Sequence, residues 1–598
     1  MSQYVAPIRD MQFVMKELAG IEQVAALPGY EEADQDVIDA IMEEAGKFAG
    51  EVLAPLNWVG DQEGAKWSHG VVTTAPGFKE AYKQFAESGW NGLACEPEFG
   101  GQGLPKLVST AVREMWKSSN MAFSLCPMLT QGAIESLVLR GTHEQKETYL
   151  HKMVSGEWTG TMNLTEPNAG SDLAAVRTRA EPQEDGTYKI FGQKIFITYG
   201  EHDMAENLVH LVLARLPDAP AGVKGISLFV VPKFLVNADG SLGERNDAWC
   251  ASIEHKLGIH GSPTAVMVFG DHGGAIGTLV GELNRGLEYM FIMMNEARFA
   301  VGLEGLALSD RAYQQALAFA KDRVQGKDMT VKGGGSVSII RHPDVRRMLL
   351  LMKSQTEAMR ALAYVVAAAM DNARNNPDEA EKKRNQAFAD LMIPVCKGWL
   401  TETSNDVTSL GVQVHGGMGF IEETGAAQHF RDARITNIYE GTTGIQALDL
   451  IGRKTAREGG VTAKAVVASM QALDAELAAQ AGGDFAVIRK ALAEGVAAVD
   501  ACVDYIVANF GTKGGEVATG AVPFLKLLGI VAGGWQMARA SLAAQRLLAA
   551  GGGDAAFYQA KILTTRFYAE HVMVQASGLA RTVTEGGASA LALTEEQF

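Results

Sequence analysis

What most constrains the fold is an interruption. Helical periodicity runs through most of the 598 residues, but between Glu157 and Gly286 it gives way to short strand-like runs. These are Thr159 to Leu164, Tyr188 to Thr198, Leu208 to Leu216, Gly225 to Val231 and Ala265 to Phe269, divided by Gly, Pro, Asn and Asp. Such runs between turn residues predict an antiparallel β unit at about 157–284. A chain this long exceeds one hydrophobic core. The β unit therefore stands among separate helical units at 1–156, 285–457 and 458–598, giving a mainly α fold with a central antiparallel β domain.

Local signals place the helices. Asp36 to Leu53 carries Val37, Ile38, Ile41, Ala45 and Phe48 at helical spacing and is closed by Pro55. Thr142 and Gln145 have the spacing of a capping box. Gly286 to Lys321, Val345 to Asn375 and Ala380 to Val412 predict long helices, the third kinked at Pro394. The helix after Glu440 makes four, the count of a bundle. Lys332-Gly333-Gly334-Gly335-Ser336 reads as a flexible connection. In the Ala-rich extension, Gly482-Gly483, Gly514-Gly515 and Gly551-Gly552-Gly553 separate amphipathic segments.

A net charge of −17 argues against nucleic acid or anionic membrane as the main partner. The N-terminus lacks a basic start followed by an apolar run, so no secretory signal is expected. No uninterrupted apolar run approaches the ~20 residues needed to cross a bilayer, so no integral membrane segment is expected either. Five scattered cysteines without a C-x-x-C pair fit a reducing, cytoplasmic compartment. No histidines have metal-ligand spacing, and no metal is expected.

One acid is oddly placed. Glu440 lies between Ile438-Tyr439 and the turn Gly441-Thr442-Thr443-Gly444, which opens an apolar helical pattern from Ile445 to Ile451. Thr442 or Thr443 can cap that helix, leaving backbone N–H groups directed beside Glu440. Partial desolvation would raise its pKa toward that of a general base. A carboxylate favoured merely by the helix dipole accounts for the same residues.

Three other stretches bear on the choice. Thr161-Met162-Asn163-Leu164-Thr165-Glu166-Pro167-Asn168-Ala169-Gly170-Ser171-Asp172 runs from a strand into a Gly/Ser loop, where N–H groups and hydroxyls can meet a polar ring edge or a phosphate. Lys194 to Gly200 is a strand ending in an aromatic and a hydroxyl. Gln413-Val414-His415-Gly416-Gly417-Met418-Gly419-Phe420 has glycines that permit close approach to a pyrophosphate. Singly, each reads as an ordinary turn.

In this order, the boxes TEPNAGSD at 165–172, GGMGF at 416–420 and RDARITNIYEGTTGIQ at 431–446 resemble the acyl-CoA dehydrogenases, over about residues 35–455. The fold this implies is a helical N-terminal domain, a β-barrel-like middle domain and a four-helix bundle. The C-terminal helical domain resembles that of a large branch of about 600 residues, which includes 3-methylmercaptopropionyl-CoA dehydrogenases and bacterial fatty acyl-CoA dehydrogenases.

The resemblance implies FAD. Met162, Leu164 and Thr165 would line the isoalloxazine, while Gly170 and Ser171 would border the flavin phosphates and the CoA entrance. Phe196 and Thr198 would supply further flavin contacts, with Phe196 standing where the family usually has Trp. Arg323, Gln413 and Gly417 would meet the ADP half of a neighbouring subunit's FAD, and Thr442 matches another FAD-binding position. Two departures fall here: Val324-Gln325-Gly326 follows Arg323 where relatives carry Phe-Gly, and Gly444 replaces the commoner Gln. Ser171, Arg298, Tyr439, Glu440 and Gly441 would meet the acyl-CoA.

By the same resemblance, Glu440 removes the α proton while the β hydrogen leaves as hydride to flavin N5, giving a trans-2-enoyl-CoA. Some relatives carry the base just before the arginine matched by Arg298, where this chain has Ala297. The expected substrate is a fatty acyl-CoA in β-oxidation, with 3-methylmercaptopropionyl-CoA as the alternative. An electron-transfer flavoprotein is the expected acceptor and a homodimer the expected assembly. An acyl-CoA oxidase is a further alternative. A DNA-binding alkylation-response flavoprotein is disfavoured by the acidic charge.

Overall fold

The computed structural model describes residues 3–551 and 553–598; Met1, Ser2 and Gly552 of the last glycine triplet lie outside them. The helices that place the site and its supports are α1 (Ile8–Glu17), α2 (Lys106–Ser119), α3 (Met121–Arg140), α4 (Gly286–Asp322) and α5 (Pro343–Asn375), then α6 (Glu379–His415), α7 (Thr443–Ile451), α8 (Gly483–Asn509), α9 (Ala521–Ala549) and α10 (Ala555–His571). Eight strands form the main sheet. They are β1 (Trp158–Asn163), β2 (Arg179–Pro182), β3 (Tyr188–Thr198), β4 (Asn207–Arg215), β5 (Ile226–Pro232), β6 (Ala248–Ile253), β7 (Thr264–Phe269) and β8 (Ala275–Val280).

Two compact units emerge, and neither is continuous in sequence. One comprises residues 1–46, 105–118 and 301–598; the other comprises 47–104 and 119–300.

The second unit is built on the sheet, in the order β6-β7-β3-β8-β5-β4-β1, with β2 pairing β3 and β4. The five expected strands form with ends shifted by at most a residue or two, and β2, β6 and β8 join them. The expectation of a purely antiparallel unit needs correction: β1 pairs parallel with β4, from Trp158 opposite Asn207 to Asn163 opposite Val212. The long connection 164–206 provides the crossover that parallel pairing requires. Ile190, Val212, Phe229, Val231, Met267 and Phe269 form the buried core of this sheet.

Two further local expectations change. Pro55 does not close its helix. Gln35–Phe48 passes through a wider turn at Ala49–Leu53 into a helix over Ala54–Glu63, where Pro55 occupies the first turn and needs no N–H partner. Thr142 does form the capping box with Gln145, whose side chain accepts from Thr142 N at 3.0 Å.

In the first unit α5 and α6 are long and run uninterrupted through their expected spans; α6 continues through Pro394. The stretch 332–336 is not a bare linker. It belongs to the turn of a small hairpin in which Val324 opposes Ser338 and Lys327 opposes Ser336. The extension is sealed to the bundle by Trp399 of α6. A Cβ on Gly529 would lie 2.2 Å from its Cγ and one on Gly533 2.6 Å from its Cη2, so only glycine lets α9 approach that ring.

A buried charge cluster completes the same unit. Arg360 of α5 reaches Asp10 at 2.6 Å, Glu114 at 2.6 Å and Asp310 at 2.9 Å. Lys561 of α10 pairs with Glu357 at 2.9 Å and also with Asp10. Burial opposes ionisation of Asp10, but Lys561 and Arg360 outweigh it and hold the carboxyl well below its usual range. Elements far apart in sequence, α1, α2, α4, α5 and α10, thus share one ionic knot.

By length and composition two helices suffice to span a bilayer, Met121–Arg140 and Ala521–Ala549; their most apolar windows are 72% and 78% buried in protein. Reading only for uninterrupted apolar runs passed over both.

Candidate active site

In the sheet unit, β1 delivers Met162, and the chain continues through Leu164 and Thr165 into the loop carrying Gly170 and Ser171. The loop is fastened to β3. Ile195 N donates to Thr165 O at 2.9 Å, and Lys194 Nζ reaches Leu164 O and Glu166 Oε1, each at 2.9 Å. Glu166 also accepts from Arg177 N, Thr178 N and the Thr178 hydroxyl. Burial pushes the Lys194 ammonium down to about 8 against the pull of Glu166. The structure thereby pairs Thr165 with Ile195 of β3, the strand that also carries Phe196 and Thr198.

Phe196 has φ 59° and is 59% exposed. Left-handed backbone at a non-glycine residue costs about 1–3 kcal/mol. Among the described residues six non-glycines have positive φ, and three of them, Phe196, Tyr199 and Glu440, fall in the sequence boxes. Tyr199 is anchored by its hydroxyl, which donates to Ala122 O at 2.8 Å. Arg298, on α4, is 6% exposed, with its guanidinium carbon 5.9 Å from the Phe291 ring.

In the other unit, the rings of Phe319 and His415 pack with centroids 4.5 Å apart and planes tilted by 30°, which sets the C-terminal ends of α4 and α6 side by side. Arg323 and Gln413 are exposed at those two ends, and Gly417 follows in the turn Gly416–Phe420. A Cβ on Gly416 or Gly417 would meet nothing within 4 Å, leaving the backbone open to a ligand.

Glu440 sits at the head of α7. Thr442 caps that helix, accepting from Ile445 N at 3.3 Å. Glu440 has φ 57° and Gly441 φ 87°, a left-handed pair that turns the chain sharply. The carbonyl of Glu440 accepts from Gln446 Nε2 at 3.1 Å, and Thr443 N closes the loop on Asn437 O at 3.1 Å. The Tyr439 hydroxyl donates to Oε2 of Glu304 at 2.5 Å. Sequence reading missed Glu304, Lys194 and Gln446; a lysine alternating with apolar strand residues and an acid in an apolar helix were the available signals.

Family models match nearly the whole chain: acyl-CoA dehydrogenase N-terminal domain over 36–157, middle domain over 161–272, C-terminal domain over 284–455, and an acetyl-CoA dehydrogenase C-terminal-like model over 463–594. The chain belongs to the acyl-CoA dehydrogenase family. It is 50% identical to the 3-methylmercaptopropionyl-CoA dehydrogenase of Ruegeria pomeroyi, over 98% of this chain and 99% of the relative. It is 36% identical to a butyryl-CoA dehydrogenase of Syntrophomonas wolfei, over 100% of this chain and 99% of that one. Its fold matches a Bacillus anthracis acyl-CoA dehydrogenase crystallised with FAD, with TM-score 0.72 and 22% identity over 98% of this chain and 93% of the other.

FAD is the cofactor of this family. The residues present suit it. Among the described residues the hydroxyls of Thr165, Ser171 and Thr198 make no hydrogen bond within the protein, a Cβ on Gly170 would meet nothing within 4 Å, and the Phe196 ring is available for stacking.

Proposed function

We propose that this acyl-CoA dehydrogenase acts on 3-methylmercaptopropionyl-CoA, with Glu440 as the base. The observation that carries the substrate is the 50% identity across 98% of the chain to an enzyme named for it. It displaces a straight fatty acyl-CoA as the first reading. The butyryl-CoA dehydrogenase likeness, at 36%, keeps a short straight chain as the second.

The α proton of a thioester is weakly acidic, and its removal needs a carboxylate held close to that carbon. Glu440 takes the α proton, and the C–H electron pair becomes the new α,β double bond as the β hydrogen departs with its own pair. The chemistry supplied by bound FAD is acceptance of that hydride. The product is the 3-methylthio-2-enoyl thioester. A sulfur lone pair on the β carbon stabilises the positive charge that grows there, favouring the thioether over its methylene counterpart. Thr165, Ser171 and Thr198 are the hydroxyls we assign to the flavin, with Met162, Leu164, Gly170 and Phe196 beside them. Arg323, Gln413, Gly417 and Thr442 are assigned to the remainder of FAD. Ser171, Arg298, Gly441 and the ring of Tyr439, whose hydroxyl is taken up by Glu304, are assigned to the acyl-CoA. An electron-transfer flavoprotein as acceptor, a cytoplasmic site of action and a homodimeric assembly belong to the same proposal.

The test is anaerobic bleaching of the flavin by 3-methylmercaptopropionyl-, pentanoyl- and butyryl-CoA. The thioether substrate is expected to bleach fastest; faster bleaching by either straight chain would replace it. Glu440→Gln is expected to retain bound flavin while bleaching slows by about 10²–10⁴-fold. Turnover with an artificial acceptor in the absence of oxygen distinguishes a dehydrogenase from an oxidase.

A further inference from the structure

Glu304 lies on α4 seven residues beyond Ala297, deep in the unit that carries Glu440. Its side chain is completely buried, and Oε1 is 3.3 Å from Nζ of Lys117, itself only 2% exposed. The other oxygen, Oε2, accepts from the Tyr439 hydroxyl at 2.5 Å. A third charged group, the buried Lys397 of α6, also acts on it: burial holds the Glu304 carboxyl above its usual range, against Lys117, the Tyr439 hydroxyl and Lys397, which pull it down. Removing a carboxylate from water is costly unless its oxygens are paired. Here the two oxygens serve different partners: one faces a counter-charge, the other holds a tyrosine.

That tyrosine immediately precedes Glu440, whose left-handed backbone is not one a glutamate prefers. Something must hold it there. On the far side, Gln446 donates to the Glu440 carbonyl at 3.1 Å. On the near side, Tyr439 N bonds Ile435 O at 3.2 Å and the Tyr439 hydroxyl reaches out to α4, while beyond the turn Thr443 Oγ1 donates to Glu402 of α6 at 2.5 Å. The hydroxyl is therefore an arm that registers the loop on α4, and Lys117 of α2 faces the other oxygen of its acceptor.

We propose that Glu304 is a positioning residue for Glu440, acting through the Tyr439 hydroxyl to fix the backbone from which the base projects. This rests on Glu440 being the base. Because misplacement by about 1 Å can cost 10²-fold in rate, the effect belongs in kcat.

The experiment compares Tyr439→Phe, Glu304→Leu, Glu304→Gln and the Tyr439→Phe/Glu304→Leu double variant with Glu440→Gln, each as flavin-loaded full-length enzyme. Tyr439→Phe and Glu304→Leu are expected to lower kcat by about 10- to 100-fold, with KM for the acyl-CoA within about twofold. The double variant is expected to be no slower than the slower single one, since both remove the same tie. Glu304→Gln keeps an acceptor for the tyrosine and is expected to recover most of kcat. Amide hydrogen exchange over residues 437–446 is expected to quicken in Tyr439→Phe and not in Glu304→Gln. Unchanged kcat in Tyr439→Phe, a rise in KM alone, or multiplying losses in the double variant would each overturn the proposal. If Glu304→Leu fails to fold, Tyr439→Phe alone decides through the same kcat, KM and exchange measurements. Turnover by Glu440→Gln at the unsubstituted rate would instead overturn the identity of the base.

Discussion

Lys194 Nζ stands 2.9 Å from both Glu166 Oε1 and Leu164 O, so one buried ammonium fastens the start of the 164–178 loop to β3. Lys194→Met would leave Glu166 buried without its counter-charge, at a cost of about 3–5 kcal/mol. The expected outcome is a lowered melting temperature together with weaker FAD retention on ultrafiltration. Adding Glu166→Gln is expected to recover part of the stability but not the tight flavin binding. Unchanged flavin retention in Lys194→Met would show that the loop is held by other means.

Arg360 satisfies Asp10, Glu114 and Asp310 at once. Arg360→Met is therefore expected to destabilise by about 3–5 kcal/mol, read as a lower denaturant midpoint, because it strands acids rather than merely losing a pair. Lys561→Met is expected to act in the same direction and to increase protease cutting around α10, since Lys561 ties that helix to Asp10 and Glu357. If cutting stays at the unsubstituted level, the knot is not what holds the extension.

His260 directs Nδ1 at Asp61 O and Asp61 Oδ1, at 2.9 and 3.1 Å, and Nε2 at Lys256 O, at 2.8 Å. With acceptors facing both nitrogens the ring is an imidazolium, and the hydrogen bond to Asp61 raises its pKa to about 9. The folded value exceeds the unfolded one of about 6.5, so the stabilisation is complete below about pH 6.5 and is lost as pH rises through 9. With the ring partly exposed, the amount is on the order of 2 kcal/mol. Thermal melts of His260→Gln and the unsubstituted protein are expected to converge between pH 6.5 and 9; a constant difference would remove the imidazolium from the account.

Gly441 has φ 87°, and a Cβ there would come within 2.7 Å of Gln446 Nε2, the group that holds the Glu440 carbonyl. Gly441→Ala is expected to cost about 1–2 kcal/mol in stability from the left-handed backbone. It should also slow turnover about tenfold by displacing Gln446. Turnover equal to that of the unsubstituted enzyme would show that Gln446 relaxes without moving Glu440.

The legible parts of the candidate site were those written in consecutive residues. Thr442 caps α7, as a hydroxyl just before an apolar helical pattern should. Thr142 and Gln145 pair as their spacing requires. The resemblance named Glu440, but the left-handed turn that carries it is no more apparent in the letters around it than in any Tyr-Glu-Gly sequence.

What the sequence determined by itself was element type and family. Periodicities of 3.6 and 2 mark which face each segment buries, and the ordered boxes mark a flavoprotein. Tertiary structure alone decided which distant residues meet. β1 runs parallel to β4, α9 closes on Trp399 through Gly529 and Gly533, and Glu304 comes to hold the tyrosine beside Glu440. The reason is physical: a residue's burial face depends on its near neighbours in the chain. The partner of a buried charge depends on how separate helices dock, and no local spacing records that.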